Sequence, residues 1–145
     1  AVCFDAKHIT EYPSTKRRHC MEQLISLVSG KVARTVFGLI IALFGVFHLM
    51  YANMMAGAVP VPGGVIWVYF TGFCLIAGAV GIITNFKGQG RNAAFLTGVL
   101  VLVFAFGVQL LGVMRGGENA MMYQTIFLKD IMIAMGAWVI AGTFR

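Results

Sequence analysis

Four long apolar runs, set apart by short polar or turn-forming stretches, organise the chain. They cover residues 35–59, 65–84, 93–114 and 120–144. An α-helix rises ~1.5 Å per residue, so about 20 apolar residues cross the hydrocarbon core of a bilayer. Each run reaches that length. None alternates polar with apolar residues, and each is about twice the ~9–11 residues that a barrel strand needs. The pattern predicts an all-α fold, an integral membrane four-helix bundle. Pro60–Gly64, with two prolines and paired glycines, ends the first run as a turn. Residues 85–92 and Arg115–Asn119 supply the other two turns. Trp67 and Tyr69 open the second run at interfacial depth. Residues 1–30 form a polar, basic tail ahead of the membrane domain, 31–145. The tail has no apolar core flanked by a cleavage site and is expected not to be a secretory signal. Met21–Ile25 reads as the start of a short amphipathic surface helix, and Met21 is also a candidate natural start.

Composition strengthens this picture. The 145 residues, enough for one domain, are 59% hydrophobic and 11% charged. Soluble domains carry roughly 25% charged residues, so there are too few here to cover a surface in water. A net charge of +6 would suggest nucleic acid in a soluble protein, but its placement points elsewhere. Lys7, Lys16, Arg17, Arg18, Lys31, Arg34, Lys87, Arg91 and Arg145 fall on one face, and outside the runs Arg115 stands alone on the other. Positive charge stays in the cytoplasm. Both termini are therefore expected to be cytoplasmic, the partner to be the lipid bilayer, and nucleic acid to be no partner. Gly38, Ala42 and Gly45, then Gly78 and Gly81, then Ala134, Ala137 and Ala141, lie at spacings that let helices approach closely in lipid. Cys3, Cys20 and Cys74 form no recurring motif, and Cys74 reads as a small packed residue.

Seven strongly polar side chains interrupt the runs: His48, Asn53, Tyr69, Gln109, Gln124, Lys129 and Asp130. Counting ~1.5 Å per residue puts His48 about 20 Å and Gln109 about 24 Å from the cytoplasmic end, and Lys129 about 14 Å from the outer end. All seven fall in the outer half of the bilayer. Ionisable groups at such depth are costly and tend to face a protein interior or a wet cavity. Two readings stay open. In one, the fourth helix starts near Phe127 and Asp130 is favoured in its first turn by the helix dipole, with Lys129 snorkelling outward. In the other, the polar residues enclose a pocket open to the outside. His48, Tyr69, Gln109, Lys129 and Asp130 are then candidate ligand-binding residues, with Trp67 and Tyr69 stacking on a flat ligand. Lys129 would attract an anionic or quinone-like carbonyl group.

No catalytic residues are expected. A lone histidine in the spans, without CxxC or HxxxH, is no metal site. No serine follows Ser29, and no glycine-rich phosphate loop follows a strand.

Three segments carry a resemblance: RTVFGLIIALFGVFH from Arg34 to His48, WVYFTGFCLIAG from Trp67 to Gly78, and FLKDIMIAMG from Phe127 to Gly136. From about Met21 onward the chain resembles the DoxX family of small four-helix bacterial membrane proteins. The first segment is similar to that family's opening helix, the second to its glycine-rich second helix, and the third to its closing Lys-Asp element. Thr125 or Ile126 stands where an asparagine is common in the family. The resemblance implies the bacterial inner membrane and carries over only His48, Lys129 and Asp130 as functional positions. Some members are linked to thiosulfate:quinone oxidoreduction, but no thiosulfate-handling domain is recognisable here, so that activity is not transferred. The leading expectation is an accessory or structural subunit of a larger membrane complex, with other membrane-protein subunits as partners. The alternative is a quinone-linked redox component or small-ligand binder, with quinone the one cofactor suggested. A small transporter acting as an oligomer ranks last, because no inverted repeat is visible.

Overall fold

The computed structural model describes residues 18, 21–23, 25–26, 28–57, 63–117 and 120–144. Lys7, Lys16, Arg17, Arg145, Cys3, Cys20, the turn residues Pro60–Pro62 and the Glu118–Asn119 end of the last turn lie outside the described residues. Every regular element among the described residues is helical.

Met21, Glu22, Gln23, Ile25 and Ser26 are helical and exposed. A π-helical turn, Val28–Val32, follows, kinked at Gly30, whose φ/ψ of −92°/−106° is not helical. The first span is α1, Ala33–Met50. The run expected as one helix over 35–59 is interrupted at Tyr51 (φ −110°, ψ 22°), and a short helix, α2, Ala52–Ala56, continues beyond it. The second span is α3, Gly64–Thr84. Asn85 then takes a left-handed φ of 45°, and its side-chain oxygen accepts a 2.9 Å bond from the Gly90 N–H. That bond satisfies one of the free donors at the start of α4, Gly90–Phe104. A π-helical turn, Ala105–Gln109, links α4 to α5, Leu110–Arg115, so the third span is one helix with a bulge. The fourth span is α6, Ala120–Gly142.

All four spans are long and apolar enough to cross a membrane. Their size distribution reverses that of a soluble core. Ala79, Ala94, Ala105, Ala134, Ala137 and Ala141 are buried, and the largest fully buried side chains are Ile41 and Ile82. Leu39, Phe70, Phe73, Leu96, Phe106, Met132 and Val139 face outward. Water would penalise such an exterior at about 25 cal/mol per Å²; lipid does not. Small residues inside let the backbones close up, since dispersion, not hydrophobicity, holds helices together in lipid.

The closest crossing joins α1 to α3. A Cβ on Gly72 would lie 3.0 Å from the Gly45 carbonyl oxygen and 3.1 Å from the His48 Cβ. Gly38 likewise abuts Ile83, and Gly78 and Gly81 face Thr97 and Ala93 across the α3–α4 contact. On α4, Gly98 leaves room for Trp138, whose Nε1–H donates to the Phe95 carbonyl at 3.3 Å while the two rings stack at 5.9 Å. The bundle thus runs α1, α3, α4–α5, α6 in extensively packed neighbours. Contact between α1 and α6, which would close the ring, is the thinnest. Side chains bridge that seam: Phe37 against Gly136, and the Arg34 guanidinium 4.5 Å over the Phe144 ring.

Candidate functional site

The fourth helix begins at Ala120, not near Phe127. Lys129 and Asp130 therefore sit about 14 Å along it, beyond reach of its first turn. They are adjacent, so their Cα–Cβ bonds diverge around the helix. Asp130 points inward and is 13% exposed, whereas Lys129 is 46% exposed. The long lysine stem swings back to bring Nζ within 3.2 Å of Asp130 Oδ1. The same ammonium lies 4.9 Å from the centroid of the Phe44 ring on α1. A cation over an aromatic face is attracted to its quadrupole, so Lys129 bridges the thin α1–α6 seam as well as pairing with its neighbour.

His48 stands on α1 one turn beyond Phe44. Its Nδ1 is 2.7 Å from the Phe44 carbonyl oxygen, which fixes the ring against its own helix. Gln109 ends the π-helical turn of the third span. The extra residue of such a turn shifts the phase of the rest of the helix relative to an unbroken α-helix, and π-bulges are frequent at functional sites.

These side chains meet at one cavity of about 240 Å³, bounded by all four spans. His48, Gln109, Lys129, Asp130 and Thr71 are its polar lining. Phe44, Leu75, Val101, Phe104 and Ile133 are among the apolar residues of its wall. Met55 joins them from α2, so the interruption at Tyr51 carries a methionine to the site. Four of the five residues expected from the sequence are thus brought together, from three spans.

Tyr69 is the exception. It is 40% exposed and does not line the cavity, and Trp67 also faces outward. The reason is helical phase. Val68, Thr71, Gly72, Leu75 and Ala79 are the buried stripe of α3, and Tyr69 is displaced from it by about 100°. Asn53 and Gln124 are exposed as well. Thr71 takes the place expected of Tyr69. Its hydroxyl donates to the Trp67 carbonyl at 2.7 Å, the usual way a threonine is accommodated within an apolar helix. Sequence reasoning passed over it because threonine is only weakly polar. The spacing from Thr71 to Gly72 and Leu75, one residue and one turn, was the available signal. Among the described residues there is no group of three or more histidine, cysteine, aspartate or glutamate side chains placed to hold a metal ion.

The chain matches no protein-family model, no curated protein and no solved structure.

Proposed function

We propose that this chain is a membrane protein that binds a small, neutral, largely apolar molecule in the cavity between its four spans. One observation carries the reading: an ion pair, a histidine and a glutamine, contributed by separate spans, converge on one mostly apolar cavity. Placing convergent polar groups in an apolar pocket is the usual design of a small-molecule site. The volume of about 240 Å³ lies below the ~300–1,000 Å³ of typical ligand pockets, so it suits a single ring with short substituents. Charge argues for neutrality. Lys129 is already matched by Asp130, which leaves no net positive charge to hold an anion.

The DoxX resemblance supports the same reading, because its three carried-over positions, His48, Lys129 and Asp130, all line this cavity. A quinone head group falls within the size and charge limits. The same resemblance implies a bacterial inner membrane, and the charge balance of the sequence puts both termini on its cytoplasmic side and the cavity in the outer half. Service as a subunit of a larger membrane complex is compatible with binding, and native separation after mild detergent extraction would distinguish a complex from a free monomer.

The test is equilibrium binding of two neutral single-ring probes, duroquinone and 4-propylphenol, to the protein in micelles. Saturable binding of either, lost in a folded Val101→Phe variant that fills the cavity, is the expected result. If neither probe saturates, the reading is wrong.

A further inference from the structure

We infer that the molecule held in this cavity offers a hydrogen-bond donor, a neutral hydroxyl such as a phenol's, to His48 Nε2. The inference rests on the ligand-binding reading above and specifies the chemistry of that ligand.

Its basis is the hydrogen-bonding capacity each polar group has left. The Phe44 carbonyl oxygen, 2.7 Å from His48 Nδ1, can only accept. Nδ1 therefore carries the hydrogen, and in the neutral ring Nε2 is left with a lone pair. With Nδ1 turned back to its own helix, Nε2 is on the outer edge of a ring that lines the cavity. It has no protein partner among the described residues, and none of their side chains holds a buried polar atom without one. Nε2 is thus accessible as an acceptor.

The neighbouring groups are also acceptors. Thr71 has spent its only hydroxyl hydrogen on the Trp67 carbonyl. Asp130 engages Lys129 through Oδ1, and Oδ2 remains. Of the two donors in the lining, Lys129 is engaged with Asp130 and the Phe44 ring at the more exposed edge. Gln109 retains its amide donors with no protein acceptor among the described residues, and one N–H of the three on Lys129 is left over. A carboxylate entering here would meet lone pairs and a second carboxylate. A carbonyl would find donors in Gln109 and the remaining Lys129 N–H but leave His48 Nε2 unmatched. A hydroxyl answers both, donating to His48 Nε2 and accepting from Gln109. Leaving a buried acceptor unpaired is what makes a site reject the analogue that lacks the donor.

The experiment compares 4-propylphenol with 1-fluoro-4-propylbenzene, which has nearly the same shape and no donor. The protein is labelled with ¹⁵N-histidine and held in micelles, so that affinity and the His48 imidazole nitrogens are read together. The expected result is an Nδ1-protonated His48, about tenfold tighter binding of the phenol, and a shift of the Nε2 resonance with the phenol alone. His48→Phe should remove the preference, and His48→Gln, which restores an acceptor, should recover part of it. Equal affinity for the two probes, or an Nε2-protonated His48, overturns the inference while saturable binding leaves the ligand-binding reading in place. Absence of saturable binding by either probe overturns the inference, and the ligand-binding reading falls with it only if duroquinone also fails to saturate.

Discussion

Neighbouring lysine and aspartate residues on one helix have unequal situations here, and their substitutions should be unequal too. Asp130 is the more buried partner, 13% exposed, and Lys129 the exposed one. Removing the lysine charge leaves a carboxylate facing an apolar cavity, a loss of roughly 1–3 kcal/mol for a buried group left unsatisfied. Removing the aspartate charge leaves a lysine that can extend toward the interface, at a cost below about 1 kcal/mol. Lys129→Met should therefore destabilise the protein more than Asp130→Asn, measured as unfolding in mixed micelles; equal or reversed losses would show that the pair is not divided this way. Glycines give a second contrast. Gly72→Ala forces a Cβ against the Gly45 carbonyl and the Leu49 side chain, and overpacking of this kind costs about 1–3 kcal/mol. Nothing lies within 4 Å of a Cβ at Gly107, so Gly107→Ala should change stability by under about 0.5 kcal/mol. Comparable losses at both positions would remove close backbone contact as the reason for Gly72.

At the scale of elements, the spans were legible in the sequence and their irregularities were not. Length and lack of alternation suffice to identify a membrane helix. A helix that is apolar all round carries no phase, however, so its sequence does not show that Tyr69 lies outside the buried stripe of α3. His48, Gln109 and Asp130, polar groups at membrane depth, line the cavity, whereas Asn53 and Gln124, equally polar, face outward, so polarity alone does not give the phase either. The π-helical turn over Ala105–Gln109 has no marker in the sequence. Its contribution can be tested by removing it. Deleting Gly107 should convert the turn to α-helix while leaving the residues on both sides, Gln109 among them, close to their present faces. The variant is expected to keep its helix content by circular dichroism and its saturable binding of 4-propylphenol. Lost binding would mean that the widened turn itself shapes the site.

For the whole molecule, the four-span count fixes which ends share a side: Gly63 and Gly116 on one, Lys87 on the other. In a background without Cys3, Cys20 and Cys74, a cysteine at Gly116 should react from outside intact cells with a membrane-impermeant maleimide. A cysteine at Lys87 should react only after permeabilisation. The reverse pattern would invert the orientation inferred from the charges. The interruption at Tyr51 matters at this scale too. Unbroken from Gly30 to Ala56, the first helix would extend about 40 Å at ~1.5 Å per residue, against about 30 Å of hydrocarbon. A helix too long for its bilayer has to tilt, kink or thicken the lipid around it. By yielding at Tyr51 the chain ends its first span at Met50, and the surplus is folded into α2, where Met55 reaches the cavity wall. Bilayer thickness and cavity shape are thereby joined through one residue: a thicker membrane would favour a straighter helix and draw Met55 away from the site.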